Sequence, residues 1–564
     1  MNCLALTVPV HGDRDYDWFQ CGTSECHDDV CYKPPRCPPP DKNGNDFGYN
    51  PEIFSDPAAQ LEEIRTKYHF AFGGIRKPRC FSKENCAYLN ESGWLLREET
   101  AGPNPFGPRN INFTSAEAQL WWAANSSHFL TEGVSYWWND EGETQFFNYH
   151  YWNMAQESAQ RMALPGTRHF TINRAFTPGL QRFPAVTWSG DGSDCSHAMA
   201  LRFVRGGASL ITCDMRSDGS GKDPLPLLRQ YQNAVLLPVM RVHELHGDRS
   251  RFPFAWVADD SALGAAFRSA LQLRYALIPQ IYSWLHHAEA KLSSIVAPAI
   301  DLFPAAGGAS SGSSAAPPWA WQYVLGEVLL PASHDGIEGS GAAGRSNVTG
   351  RLPPGAWLRL NTSSVTNGPA VLHVTPAVDE IVAFVRDGTI LALDGNHDVQ
   401  YSSQQGGVLE VQVYMASPSS AVAGNEFVED DGVTIASGTR TTSFAFDAES
   451  KALEWAMQET GGGIKGVGTA YTHVRGVLFV GGVGGGGPGV TLRAASVPLS
   501  RGRLVFTPPL EPLVAVTVPP PSSVRFTWAT VQPFFHADNV VRQRFFISTV
   551  FPCDSTVFSA VCHA

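Results

Sequence analysis

No run of about 18 apolar residues occurs in this chain of 564 residues, so no segment reads as a membrane-spanning helix. A surplus of positive charge is also missing. Lys and Arg number 41 and Asp and Glu 53, a formal net charge of −12. Binding a phosphate backbone needs a basic face, which excludes nucleic acid as the expected partner. The opening residues MNCLALTVPV carry no basic segment and run directly into HGDRDYDWF, so they do not read as a signal peptide. His243-Glu-Leu-His246 is one residue short of the His-Glu-x-x-His zinc motif, and no metal is expected there. The stretch 482–487 fits Gly-x-Gly-x-x-Gly, but Pro488 and Val490-Thr-Leu open no helix after it. That reads as a flexible loop, not a nucleotide cradle.

What is present points elsewhere. Hydrophobic residues make up 43%, enough to bury real cores, and the length suggests three or four domains at roughly 150 residues each. Fifteen Trp, 15 Tyr and 32 Phe supply rings for cores and for stacking on sugar C–H faces. Among 11 cysteines, Cys21, Cys26, Cys31 and Cys37 are spaced too widely for paired zinc ligands and read as a disulfide-stapled loop. Asn-x-Ser/Thr sequons stand at Asn90, Asn112, Asn125, Asn347 and Asn361. Together with the cysteines they point to a secreted protein or the endomembrane lumen.

From about residue 51 to 300, short apolar runs alternate with helical stretches. The runs are 68–72, 133–138, 170–172, 185–188, 209–213 and 235–240; the helical patterns include 115–129, 193–205 and 263–290. Strand–helix alternation of this kind implies a parallel sheet, open or closed into a barrel. The Gly/Ala/Ser-rich stretch 305–318 reads as a linker. Residues 320–520 then show short β-branched runs broken by Gly, Pro and Asn, the texture of β-sandwiches.

In parallel α/β folds the chemistry lies at the carboxyl ends of the strands. The run 133–138 ends in Asn139-Asp140-Glu141, and the run 185–188 ends in Ser189-Gly190-Asp191. Two strand ends therefore each present a carboxylate beside tryptophan. Sugar hydrolysis needs such a pair, one to attack the anomeric carbon and one to protonate the leaving oxygen. From spacing alone each aspartate reads equally well as a helix cap or a metal ligand.

The order of motifs adds to this. Arg174-Ala-Phe-Thr-Pro-Gly-Leu-Gln-Arg182-Phe followed by Trp188-Ser-Gly-Asp191 resembles the acid/base segment of glycoside hydrolase family 31. Residues 112–122 resemble the helix entry before that family's nucleophile strand, and 133–143 the strand itself, with Trp-Asn-Asp-Glu-Gly-Glu where the family has Trp-x-Asp-Met-Asn-Glu. Asp15-Tyr-Asp-Trp-Phe19, Asp214, Arg241-Val-His243, Arg251-Phe-Pro-Phe254 and Glu429-Asp-Asp-Gly432 follow the family's order as well. Glu429–Asp431 read by themselves as a turn of solvated charge in preference to a calcium site.

The resemblance implies a (β/α)8-type TIM barrel followed by C-terminal β-sandwich domains. The expected domains are 1–300 for the barrel with its Cys/Pro-rich loop, 301–405 and 406–520 for two sandwiches, and an unassigned tail, 521–564. It implies a retaining, exo-acting α-glycoside hydrolase of the α-glucosidase type, working without a cofactor on an oligosaccharide or α-glycoside. Asp140 would be the nucleophile and Asp191 the general acid/base. Asp15, Trp138, Arg182, Trp188, Asp214 and His243 would bind substrate, with Arg182 close enough to act on a carboxylate. An α-xylosidase-like activity, or a catalytically inactive carbohydrate-binding homologue, stays open, and so does the oligomeric state. The family carries a β-sandwich and a first barrel strand ahead of the Asp-x-Asp strand. With 14 residues before Asp15, an N-terminally truncated barrel with two unpaired edges is the expectation.

Overall fold

The computed structural model describes residues 26–27, 30–31, 46–49, 54–67, 71–80, 82–96, 110–140, 146–174, 176–177, 179–190, 195–215, 224–242, 261–304, 316–333, 348–396, 407–461, 471–482, 489–506, 530–531 and 545–546. The cysteine cluster is met only through its backbone, where β1 (Cys26–His27) pairs antiparallel with β2 (Val30–Cys31).

The central layer is a five-stranded parallel sheet in strict chain order: β3 (Phe72–Arg76), β4 (Val134–Asn139), β5 (Thr171–Asn173), β6 (Ala185–Trp188) and β7 (Ile211–Thr212). A parallel bridge from Met215 to Val242 carries the pairing one step further. Parallel neighbours in sequential order, joined by helices, are the geometry of a barrel wall. Gly73 lets β3 lie against β4, since a Cβ there would fall 2.2 Å from the Tyr136 ring.

Helices α1 (Pro57–Lys67), α2 (Lys83–Glu91), α3 (Ala116–Glu132), α4 (Phe146–Ala163), α5 (His197–Arg205), α6 (Leu225–Ala234) and α7 (Ala262–Lys291) complete the layer. Serine hydroxyls accept a backbone N–H of the first turn at four starts: Ser82, Ser115, Ser196 and Ser261. Along α3, Ala118, Trp122, Ser126 and Phe129 are buried, a stripe at helical spacing that faces the sheet. There Trp122, Trp137 and Trp152 meet edge to face around one core, with ring centroids 5.8 and 6.4 Å from Trp122.

Two sequence expectations shift. The first strand of the parallel sheet, Phe72–Arg76, runs on past the expected end at 72, and residues 68–70 of the expected run lie outside the described residues. The run 235–240 forms no strand. Its first residues continue the turn that ends α6, and Pro238 has no N–H to give to a ladder. Arg274, buried on α7, donates instead to the carbonyls of Val235, Leu237 and Pro238 at 2.6–3.1 Å. Burial holds that guanidinium down at about 10.

Beyond the barrel layer the chain is all β. β8 (Val296–Pro298), β9 (Tyr323–Leu325), β10 (Leu329–Pro331), β11 (Val348–Arg359), β12 (Val365–Val374) and β13 (Ala383–Arg386) form a six-stranded antiparallel sheet over Trp319, Leu330, Trp357 and Phe384. β14 (Thr389–Asp394), β15 (Gly407–Met415), β19 (Tyr471–Val480) and β20 (Val490–Arg493) form a second sheet, joined at β19 by β21 (Val497–Pro498). β16 (Asn425–Glu429), β17 (Arg440–Asp447), β18 (Ala452–Glu459) and β22 (Arg503–Val505) form a third. Side chains of the second sheet alternate between two cores. Leu391, Leu393, Tyr414 and Val477 join the cluster of α6 and α7, while Ile390, Ala392, Val411 and Val413 pack with Phe427, Phe444 and Trp455 of the third sheet. The boundary expected at 300/301 falls just after β8, which already belongs to the six-stranded sheet. The one at 405/406 separates β14 from β15, which pair along their length. Among the described residues no helix is long and apolar enough to cross a membrane.

Candidate active site

Period two in β4 sends Trp137 and Asn139 to the helix side and Trp138 and Asp140 to the other. On the helix side Asn139 is locked in a buried amide network. It donates to Gln156 and to Asn173 at 2.8 Å, and accepts from Gln156 Nε2 at 2.6 Å. Asn153 and Thr171 extend the network, linking α4 to β5. Amides tied this way fix the end of β4, because each buried polar group left without its partner costs about 1–3 kcal/mol.

The fixed strand end presents Asp140, only 5% exposed. Its backbone N–H donates to Arg76 O at 2.9 Å, joining it to the end of β3. Arg174, directly after β5, donates through Nη1 to Asp140 Oδ1 at 2.8 Å. Lys77, directly after β3, places Nζ 4.0 Å from Asp140 Oδ2 with its side chain fully buried. Three adjacent strand ends thus converge on one carboxylate. Gly190 adopts φ +73°, and a Cβ there would press on Arg174 Nε at 3.2 Å, so a larger residue would crowd this arginine.

A wall stands beside it. The Trp138 and Trp188 rings meet edge to face at 5.6 Å. The Arg241 guanidinium lies over both, 4.7 Å from Trp138 and 5.2 Å from Trp188, and Arg174 lies 5.9 Å over Trp188. Arg241 donates to Asp214, which is fully buried just past β7. Asp140, Trp138, Trp188 and Asp214 are therefore brought together through Arg174 and Arg241.

Arg182 is placed differently. It is exposed at the end of a short 3-10 helix, its guanidinium 5.0 Å over the Phe183 ring. Among the described residues, Arg174 and Lys77 are cations on Asp140. Asp15, Asp191, His243 and Arg251 lie outside the described residues; Gly190 is the last described residue before Asp191. The sequence reading passed over Arg174, Lys77 and Arg241 as site residues. Arg174 was open to discovery by the rule already applied, since it is the first residue after the run 170–172 continues to Asn173.

A parallel barrel wall with a buried acid at a strand's carboxyl end, flanked by indoles and guanidinium groups, has the make-up of a carbohydrate-active barrel. The model of the glycosyl hydrolases family 31 TIM-barrel domain matches residues 15–284, which supports a member of that family. The 1,6-alpha-glucosyltransferase of Sporosarcina globispora is 24% identical over 478 residues, 76% of this chain and 34% of its own length. Neutral alpha-glucosidase AB of Homo sapiens is 26% identical over 368 residues, 58% of this chain and 37% of its own. The family 31 alpha-xylosidase of Xanthomonas citri superposes with a TM-score of 0.63 at 18% identity, over 81% of this chain and 53% of that one. The family 31 dextranase of Flavobacterium johnsoniae gives 0.62 at 18%, over 77% and 57%. The chain spans about a third of the length of these curated relatives.

Proposed function

We propose that the chain carries the catalytic centre of a retaining, exo-acting α-glycoside hydrolase of the α-glucosidase type, with Asp140 as nucleophile and Asp191 as general acid/base. The observation that carries this is the setting of Asp140: a buried carboxylate at a barrel strand's carboxyl end, one oxygen on Arg174, the other beside Lys77. A carboxylate must be ionised to attack, and adjacent cations favour the ionised form. Trp138 and Trp188, expected to bind substrate, are buried with Arg241 over both rings, so they wall the site and hold its guanidinium groups instead of offering a free face to a sugar.

In the first displacement an Asp140 oxygen bonds to the anomeric carbon while the departing oxygen takes the proton of Asp191. In the second, water attacks that carbon, gives its proton to Asp191, and the bond to Asp140 breaks with its electron pair returning to the carboxylate. Retention requires the two carboxyl groups about 5–5.5 Å apart. Asp15 and His243 complete the sugar site in this reading, Asp214 acts on it through Arg241, and an oligosaccharide or α-glycoside is the substrate. The names of the relatives favour α-glucosyl over α-xylosyl substrates. The disulfides Cys80–Cys86 and Cys195–Cys213 support a secreted or lumenal location.

A cyclitol-type covalent α-glucosidase probe tests the assignment. Peptide mapping is expected to find the label on Asp140. A folded chain that takes no label overturns the enzyme reading and leaves a carbohydrate-binding homologue.

A further inference from the structure

Arg174 and Lys77 are not equivalent cations on Asp140. Arg174 is 17% exposed and holds one oxygen of the carboxylate at 2.8 Å. Lys77 has no exposed surface and stands beside the other oxygen. The fold explains how it gets there. Arg76 pairs in register with Asn139, so Lys77 and Asp140 are the next residues along two adjacent parallel strands. Alternation sends Arg76 the other way, where it donates to Asp46 O at 2.7 Å and lies over Phe47 at 5.1 Å. Lys77 is therefore aimed at the same face as Asp140.

We infer that Lys77 is a positioning residue that sets the balance between the two displacements, acting through Asp140 and never on the sugar. This rests on the glycosidase reading. In the first step the Asp140 charge is consumed as its oxygen bonds to the anomeric carbon, so a fixed ammonium beside it holds back attack. In the second step that bond breaks and the charge returns, so the same ammonium speeds departure of the carboxylate. A buried cation 4.0 Å from the carboxylate thus drains the glycosyl-enzyme and keeps it from accumulating.

The test compares Lys77→Met and Lys77→Arg in the full chain, with an activated aryl α-glucoside and rapid mixing. Lys77→Met is expected to lower kcat about tenfold, the scale for a fraction of a unit charge developing at that distance. KM should fall with it, leaving kcat/KM within about threefold of wild type, because kcat/KM reports only the first displacement for a retaining enzyme. A burst of aglycone equal to the active sites, counted with the cyclitol probe, should accompany the fall. Lys77→Arg keeps the charge and should restore the wild-type split. Equal losses in kcat and kcat/KM without a burst, or a Lys77→Met enzyme indistinguishable from wild type, would overturn the inference. Probe labelling separates the two levels. Labelled Asp140 with no split sinks only the role of Lys77; an unlabelled, folded wild-type chain sinks the glycosidase reading and the lysine's role with it.

Discussion

Asp140 and Asp430 are both buried aspartates held by an arginine, and they occupy opposite kinds of place. Asp140 ends a barrel strand, and the cations around it come from the neighbouring strand ends. Asp430 lies in the turn after β16, where the third sheet meets the barrel layer. Arg168 and Tyr282 donate to it, the backbone N–H of Gly432 donates at 2.7 Å, and His286 Nε2 lies 3.3 Å away. Backbone bonds fasten the same turn: Arg168 N donates to Val433 O and Ile435 N to Gly166 O, both at 2.8 Å. Its side chain is fully buried. The expected turn of solvated charge at 429–431 is instead a clamp, and Glu429 is likewise buried on Arg440. A buried acid with an arginine is thus no sign of catalysis by itself. Both follow a strand's carboxyl end; in the proposed reading the parallel barrel strand behind Asp140, against the antiparallel β16 behind Asp430, separates a reacting group from a fastening one.

The sharpest way to break this comparison is to make both side chains amides. Asp140→Asn should lower kcat about 10⁴-fold or more, as removal of a nucleophile does. Asp430→Asn should leave kcat of the folded chain within about threefold and lower stability by about 2–4 kcal/mol, since an arginine loses its buried partner. Calorimetry and steady-state kinetics on both variants read this; an Asp430→Asn chain with an unchanged melt and lost activity reverses the two roles. Next in size, Asp191→Ala should cost natural glycosides about 10²–10⁴-fold and activated aryl glycosides far less, because a good leaving group needs little protonation. Equal loss on both substrates removes Asp191 from the acid role.

Acid sharpens the contrast on the clamp side. Burial alone would raise the Asp430 carboxyl, but contacts with His286, Arg168 and Tyr282 and the Arg168 charge outweigh it and hold the group well below the usual carboxylate range. A depressed carboxylate contributes stability that is present above its unfolded value, about 3.9, and is lost as pH falls toward the folded one. The gap in melting temperature between wild type and Asp430→Asn should stay constant above about pH 5, begin to narrow below about pH 4, and close only as the folded carboxyl itself takes up its proton. A gap that does not narrow at all as pH falls from about 5 to about 2 would mean that the clamp is not electrostatic.

How much of this was legible beforehand depended on strand ends. Asp140 and the tryptophan before it were found because the run 133–138 is apolar and stops at an acid, which is how a buried parallel strand announces its end. The first described strand of the parallel sheet was not so marked. Its text, Phe-Gly-Gly-Ile-Arg, carries two glycines and a buried arginine, so the apolar run 68–72 looked more strand-like and its end was set four residues early. That shift hid Lys77. The run 235–240 misled in the opposite sense, because the arginine that satisfies its carbonyls comes from α7, 36–39 residues away. The partners of Asp430 are more distant still, with Arg168 separated by 262 residues. Local period and composition cannot carry pairings at such range; they reveal where a strand stops, not what closes over it.

The two disulfides extend the comparison to its finest grain. Cys80–Cys86 closes a span of six residues between the end of β3 and α2, and Cys195–Cys213 one of 18 from the start of α5 to the residue after β7. Loop-closure entropy gives the longer span about 3 kcal/mol and the shorter about 2. Cys213 also abuts Asp214, whose partner Arg241 lies over both Trp138 and Trp188. Loosening the end of β7 therefore reaches the indole wall through a chain of direct contacts. Cys195→Ala/Cys213→Ala should be the less stable double variant and should raise KM severalfold, while Cys80→Ala/Cys86→Ala should lose less stability and hold its KM within about twofold. Thermal melts set beside KM for one aryl glycoside decide it. A shorter loop that costs more, or a KM that moves only with the Cys80 pair, would place the mechanically sensitive edge of the site at β3 and not at β7.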